Sequence, residues 1–286
     1  MTKLVFTPGL KSKLKDLLGS NIVKVDYESP VTDTALVAKL TLADGRKVRY
    51  NSRPGQSGVT TYELPKYLSQ FNLTRDKTAI LEPIAFMSDE QAIIYPHIEG
   101  NTLKKLFPDV AVDPWFVRMG QLLRAIHNAP PPEFLDRVSA EDILKPLIAK
   151  GFETANTAQL VKLLEGVPLD NVCHGDPDPC NWLVDEDSDL LTLIDFSDAG
   201  RSSAMHDIAI LLCHSRLSGA PANFEEAFWS GYGPIDQDVQ HYLKLWLGVV
   251  YLRNAYYIET WIPAGDPKKP KLMSERLGMA EELMKQ

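Results

Sequence analysis

A basic surplus is missing from this chain. Thirty Lys and Arg face 38 Asp and Glu over 286 residues, a formal balance of −8 with histidine neutral. A general nucleic-acid binder needs a positive face, so no nucleic-acid partner is expected. Cysteine is scarce as well. Cys173, Cys180 and Cys213 are odd in number and lack paired spacing, which excludes a disulfide framework and a paired-cysteine zinc site and favours a reducing compartment. Nowhere does an apolar run reach about 18 residues, so no membrane span is expected. The start, Met1 to Leu10, has no long apolar stretch behind its lysine, so no signal peptide is expected either. Repeats and low-complexity segments are also absent. The expectation is a soluble, cytoplasmic protein without a membrane partner. Hydrophobic residues at 44% and charged residues at 24% are ordinary for a globular chain. The length suits one large domain or two modest lobes.

The first hundred residues read as strands. Ile22 to Tyr27 and Ala35 to Leu42 alternate, and Asp44-Gly45 turns the chain into Lys47-Val48-Arg49-Tyr50. Ile80 to Phe86 and Gln91 to Tyr95 predict two more strands. Thr60 to Phe71 predicts a helix, with Pro65 tolerated near its first turn. That gives about five antiparallel strands and one helix. From Asp113 the period changes to 3.6, with Phe116, Met119, Leu122, Leu123 and Ile126 on one stripe and Pro130-Pro131-Pro132 ending it. Further helices fit 140–150, 157–164, 204–215, 223–231 and 238–260, with a short apolar strand at Leu190 to Ile194. The fold class is α+β, a β-rich lobe at 1–96 followed by a helical lobe at 97–286.

The chemistry concentrates between Val172 and Ala209. His174-Gly175-Asp176 is followed by Asn181 five residues after the aspartate, then by Leu193-Ile194-Asp195-Phe196 and His206-Asp207-Ile208-Ala209. Any one of these is most simply a turn former or a core histidine. Together, a loop presenting Asp and Asn and a strand delivering a second Asp give hard oxygen donors suited to Mg²⁺ and nucleotide phosphates.

These segments resemble the aminoglycoside phosphotransferase and choline kinase superfamily of small-molecule kinases, relatives of the protein kinases. His174 to Leu183 is similar to their catalytic loop, Ile194 to Gly200 to their metal-binding segment, and Asp207-Ile208-Ala209 to the Asp-Leu-Ala that follows. Ile93 to Leu103 is similar to the hinge, Leu122 to His127 to the helix ending in Leu-His, and Trp229 to Gly233 to a late Gly-Tyr turn. Proline on both sides of Asp178 leans toward the bacterial choline-kinase-like branch. The resemblance implies a protein-kinase-like two-lobe fold with a nucleotide-binding first lobe. ATP serves as co-substrate and Mg²⁺ as cofactor. Asp176 is then the catalytic residue that takes or orients the acceptor proton. Asn181 and Asp195 hold the metal, His174 and Asp207 brace the loop, and Tyr95, His97 and Ile98 lie where adenine binds.

The first lobe departs from that pattern. Kinases place a cation on the third strand, paired to a helix Glu. Glu63 is the candidate Glu, and Arg49 and Arg53 compete for the cation, sharing one strand face with Asn51. Arg is frequent here in choline-kinase-like members, which favours Arg49. Lys39 precedes the hairpin turn and reads as a solvated strand residue. The expected phosphate loop, Glu28 to Asp33, lacks glycine and offers Ser29, Thr32 and Thr34 instead. For the acceptor, the negative balance, Asp178, Asp198 and Glu259, and Trp261 on an aromatic late helix suggest a small cationic hydroxyl compound, choline/ethanolamine-like, thiamine-like or aminoglycoside-like. Most rings of that helix equally fit core packing. The alternative is a non-catalytic nucleotide-binding pseudokinase scaffold. A metal-dependent hydrolase would want clustered histidines, and His174 and His206 lack the spacing.

Overall fold

The computed structural model of the chain describes residues 6–28, 36–53, 55, 57–73, 77–107, 113–150 and 155–285. Ser29, Thr32 and Thr34, the hydroxyls expected of the phosphate loop, lie outside the described residues. The chain forms two compact units. The first comprises Met1–Asn101 with Leu183–Ser197, and the second Thr102–Trp182 with Asp198–Gln286. The first unit thus runs past residue 96 and takes back a segment from later in the chain.

In the first unit, α1 (Pro8–Leu18) precedes β1 (Ile22–Tyr27), β2 (Leu36–Leu42) and β3 (Lys47–Ser52). The reading of the first hundred residues as five strands and one helix omits α1, although its signals are local. Thr7 accepts from the Leu10 N–H at 3.1 Å, Pro8 opens the helix and Gly19 closes it at φ 69°. Leu10, Leu14 and Leu18, spaced i, i+4, i+8, pack on Leu40, Val48 and Tyr50 of the sheet. Each fully buried leucine contributes about 1.5–3 kcal/mol. After α2 (Leu64–Ser69) come β4 (Thr78–Ile80), β5 (Ala85–Met87) and β6 (Ala92–Pro96). The main sheet has the order β1-β2-β3-β6-β5, antiparallel throughout. Asp44-Gly45 is the expected turn, with Asp44 Oδ1 accepting from the Arg46 N–H at 3.0 Å.

Two sequence expectations change for reasons of proline chemistry. The single strand over 80–86 is two, because Pro83 cannot donate to a ladder. The helix expected over 60–71 instead begins as a π-type turn, Val59–Glu63, and becomes α-helical only at α2. Pro65 lacks the N–H that would bond Thr61 O in an α-helix. The Tyr95 hydroxyl donates to that carbonyl instead, at 3.3 Å.

The second unit follows β7 (Asn101–Thr102) with α3 (Leu103–Leu106), α4 (Asp113–His127), α5 (Ala140–Ala149), α6 (Ala155–Leu163) and β8 (Asn171–Cys173). The stripe expected on α4 is buried along its length. The strands β9 (Trp182–Asp185) and β10 (Leu190–Leu193) come next, and β10 runs parallel to β4 within the first unit. After β11 (Gly200–Ser202), which pairs antiparallel with β8, the remaining chain is helical: α7 (Ala204–Leu217), α8 (Phe224–Tyr232), α9 (Gln237–Trp261) and α10 (Lys269–Met284). Helix α8 lies so close to α4 that a Cβ on Gly231 would sit 1.9 Å from Val117 O. Helix α10 was not expected from the sequence. Its first residue, Lys269, is buried and donates through Nζ to Glu259 O at 2.8 Å and Ile262 O at 3.0 Å, satisfying the free carbonyls at the end of α9. No helix among the described residues is long and apolar enough to cross a membrane.

Candidate active site

The loop after β8 is held from below by one buried carboxylate. Asp207, in the first turn of α7, accepts from the His174 N–H at 2.7 Å and the Gly175 N–H at 2.8 Å. His127 Nε2 lies 3.1 Å from the same carboxylate, and its Nδ1 is 2.8 Å from the Tyr232 hydroxyl. Burial alone would raise the Asp207 pKa. The hydrogen bond and charge of His127 outweigh it and hold the carboxyl below its ordinary value. Gly175 has φ 82°, and a Cβ there would meet Asp198 O at 1.9 Å, so the loop demands glycine. His174 is fully buried, and its Nδ1 accepts from the Asp176 N–H at 3.3 Å. Both residues that the resemblance casts as braces therefore act on the loop backbone. His127 is a brace that sequence reasoning missed; the Leu-His ending of its helix was the available signal.

Asp176 and Asn181 meet directly. The Asn181 amide nitrogen donates to Asp176 O at 2.7 Å and to Asp176 Oδ2 at 3.1 Å. With both protons of that nitrogen engaged, Asn181 Oδ1 is left as an oxygen donor. Burial raises the pKa of Asp176, opposed by Arg253, His214 and His174, which moves a carboxylate toward the range useful in proton transfer at neutral pH. Trp182, fully buried, pins the loop by donating its indole N–H to Pro177 O at 3.2 Å.

Asp178 caps the turn that carries Asn181, accepting from the Cys180 N–H at 2.7 Å, and its other oxygen bonds His214 Nδ1. Burial opposes its ionisation, but the His214 hydrogen bond and charge prevail and bring its pKa to about 2. His214 Nε2 in turn lies 3.2 Å from Asn254 Oδ1. Asp176, Asp178, Asp198, His214, Arg253 and Trp261 line a cavity of about 330 Å³ within this unit, over Ile210 and Val250. Glu259 is not part of it. Its carboxylate pairs with Lys269 at 3.2 Å, which removes it from the expected substrate set. A larger cavity, about 600 Å³ between Trp229, Leu243 and Leu283, holds none of the motif residues.

In the first unit, Asp195 stands two residues beyond β10 at φ 63°, a conformation disfavoured for a side chain with Cβ. Arg53 Nη1 reaches its carboxylate at 3.6 Å. Arg49 pairs instead with Glu28 at 3.0 Å. Glu63, the expected partner of the strand cation, is exposed in the π-type turn, and neither arginine's ion pair among the described residues is with it. Arg49 and Asn51 do share the less buried face of β3, as alternation requires, and exposed Arg53 follows one residue beyond the strand. Tyr95 faces Arg49 across the β3–β6 register, and burial followed by the Asp195 charge pushes its hydroxyl pKa up. The His97 N–H donates to Lys47 O at 3.1 Å, its ring lies 3.5 Å from Glu99, and Ile98 is half-buried beyond it.

For a metal, hard oxygens are the relevant donors, and Asp195 and Asn181 Oδ1 have the chemistry for Mg²⁺. The three buried groups His127, Cys173 and Asp207 also cluster within 4.8 Å of one another. Both Asp207 oxygens are already engaged there by the loop and His127, so that cluster is the brace.

Residues 67–245, more than half of the chain, match the model of the phosphotransferase enzyme family. The chain belongs to that family. It is a small-molecule kinase by class, with the antiparallel first lobe and helical second lobe of the kinase-like fold. No curated protein matches its sequence. Among solved structures it is similar to a choline/ethanolamine kinase family protein from Mesorhizobium loti, with a TM-score of 0.70 at 15% identity over 99% of this chain and 96% of that one. The choline kinase LicA from Streptococcus pneumoniae gives 0.64 at 18% identity over 96% and 97%. The amicoumacin kinase hAmiN, in complex with AMP-PNP, Ca²⁺ and Ami, gives 0.69 at 14% over 95% and 92%. At such identities the likeness is one of fold.

Proposed function

We propose that this phosphotransferase moves the γ-phosphoryl group of ATP, with Mg²⁺, to a hydroxyl of a small molecule. The first unit, which runs to Asn101, binds the nucleotide along Tyr95, His97 and Ile98, and the second carries catalysis and acceptor binding. Asp176 receives the hydroxyl proton as the acceptor oxygen bonds to phosphorus and the β–γ bridging bond breaks, leaving ADP. Asn181 Oδ1 and Asp195 supply oxygens to magnesium, which when bound neutralises charge on the phosphates. Arg53 is the better candidate than Arg49 for the strand cation, since its guanidinium lies beside Asp195 while Arg49 is taken by Glu28. His174, His127 and Asp207 hold the loop rigid, which matters because phosphoryl transfer rests on positioning. The observation that carries this reading is the Asn181 amide, which fixes Asp176 with its nitrogen and keeps its oxygen for a ligand.

The sequence reading of a cationic acceptor drew on Asp178, Asp198, Glu259 and Trp261. Asp198 and Glu259 carry ion-pair partners from the chain itself and Asp178 is hydrogen-bonded to His214, so the proposal here extends to the hydroxyl and no further. The test is ADP release from Mg·ATP in the presence of amino alcohols, thiamine, aminoglycosides and sugars, with and without chelator. Hydroxyl-dependent release that chelator abolishes supports the reading; failure of any acceptor to stimulate release, with nucleotide affinity indifferent to magnesium, refutes it.

A further inference from the structure

Two of the three carboxylates that line the acceptor cavity are already engaged by side chains of the protein itself. Asp198 accepts from Arg253 Nη2 at 3.0 Å, and Asp178 accepts from both His214 and the Cys180 N–H. Among the described lining carboxylates, Asp176 alone has no arginine or histidine side chain bonded to it, and Asp176 is committed to the reacting hydroxyl in the function proposed above. A permanent cation entering the cavity would meet the Arg253 guanidinium, which is largely buried there, with a side-chain exposure of 19%. The aromatic seat for a cation is also filled. The Tyr257 ring carries Arg253 itself, 5.3 Å from the ring centroid, and the Tyr257 hydroxyl accepts from Arg253 Nε at 2.9 Å.

What the cavity does present is donors beside acceptors. Arg253 stands beside Asp198, and His214 lies between Asp178 and Asn254. A hydroxyl both donates and accepts, so it can bridge such a pair without stripping either member of its partner. Trp261, at the end of α9, leaves 77% of its surface exposed at the same cavity. A free indole face suits the C–H face of a saturated ring as well as it suits a cation, and here Arg253 disfavours the cation. The volume, about 330 Å³, lies at the small end of ligand pockets and suits one ring.

Building on the kinase reading, we propose that the acceptor is an uncharged polyhydroxylated ring of monosaccharide size, and that Arg253 sets this preference by neutralising Asp198 beside Asp176. The transfer is R–OH plus ATP to R–O-phosphate plus ADP and one proton, the proton leaving through Asp176.

The experiment measures binding by calorimetry and turnover with Mg·ATP for neutral probes (methyl glycosides and myo-inositol), cationic probes (choline, ethanolamine and kanamycin) and one anionic probe, methyl glucuronide. Wild-type, Arg253→Gln and Asp198→Asn proteins are compared, with melting curves to verify folding. The wild type is expected to favour a neutral probe by roughly tenfold or more, with KM flat between about 20 and 300 mM KCl. Loss of the guanidinium in Arg253→Gln is expected to weaken the neutral probe roughly tenfold or more and to strengthen choline binding. Asp198→Asn keeps the case decidable if Arg253→Gln does not fold, because Asp198 is half exposed. It leaves Arg253 uncompensated, so choline stays excluded and methyl glucuronide binding improves. The inference is overturned if the wild type prefers a cationic probe with KM rising with salt, if Asp198→Asn abolishes existing choline binding, or if no neutral probe binds. Those outcomes leave the kinase reading standing; magnesium-independent nucleotide binding without any turnover would overturn that reading instead.

Discussion

Replacing Asp178 by Asn removes one charge from the pair with His214 while keeping an oxygen to cap the Cys180 N–H. The folded carboxyl has a pKa of about 2 against an ordinary 3.8. At about 1.4 kcal/mol for each tenfold change in proton affinity, that difference is worth about 2 kcal/mol of stability at neutral pH. Because the folded pKa is the depressed one, the contribution is complete above the unfolded value. It is lost as pH falls from about 4 toward 2, reaching about half near pH 3. A loss of this size should lower the melting temperature by about 4–8 °C. The assay compares melting of the two proteins from pH 7 down to pH 2. His206 complicates each curve but not their difference. It is buried against Trp246 with its pKa pushed down by burial to about 4, so it destabilises both proteins alike as pH falls from about 6.5 to 4. His214→Gln should cost a similar amount. The double variant should fall short of the sum by about 2 kcal/mol, since both changes break one interaction. Equal melting at pH 7, additive single effects, or a gap that does not close in acid would refute the reasoning.

Three further outcomes concern Asp207, Gly175 and Asp195. Asp207→Asn turns an acceptor of three hydrogen bonds into a group that also donates, and should cost about 3–5 kcal/mol in urea unfolding; a loss below about 1 kcal/mol would remove it as the brace. Gly175→Ala introduces a Cβ 1.9 Å from Asp198 O at positive φ. It should destabilise by at least about 1–3 kcal/mol and depress kcat; wild-type kcat would show that the loop tolerates displacement. Asp195→Ala should abolish the magnesium-dependent part of nucleotide thermal stabilisation, and equal stabilisation with magnesium and with chelator in the wild type would contradict that role.

Much of the fold was legible because its signals are periodic and local. The alternation of Val48, Tyr50 and Ser52 against Lys47, Arg49 and Asn51 gave the faces of β3. The stripe from Phe116 to Ile126 gave the buried face of α4. Helix α1 shows the same leucine spacing, yet its lysines dilute it and no long apolar run announces it. Helix α10 was hidden more deeply. It has little amphipathic contrast, and it is tied in by Lys269 capping α9, a contact between residues that no pattern links. The π-type turn before α2 needed two distant facts at once, a missing Pro65 N–H and a Tyr95 hydroxyl supplied from β6. In the site, the motif residues together with the family resemblance pointed to Asp176, Asn181, Asp195 and Asp207. Neither could say which carboxylates were spoken for. The partners of Asp178, Asp198 and Glu259 lie 36, 55 and 10 residues away in sequence, and charge counting treats a paired carboxylate like a free one.

The central claim is that Asp176 is the proton acceptor and not a nucleotide ligand. Steady-state and single-turnover kinetics of Asp176→Asn, on whichever acceptor the wild type turns over, test it most directly. The amide keeps the contact with Asn181 but cannot take a proton at neutral pH. The account predicts a fall in kcat of about 10² or more, with the affinity for Mg·ATP changed less than about twofold. Near-wild-type turnover, or a defect confined to nucleotide affinity, would contradict it.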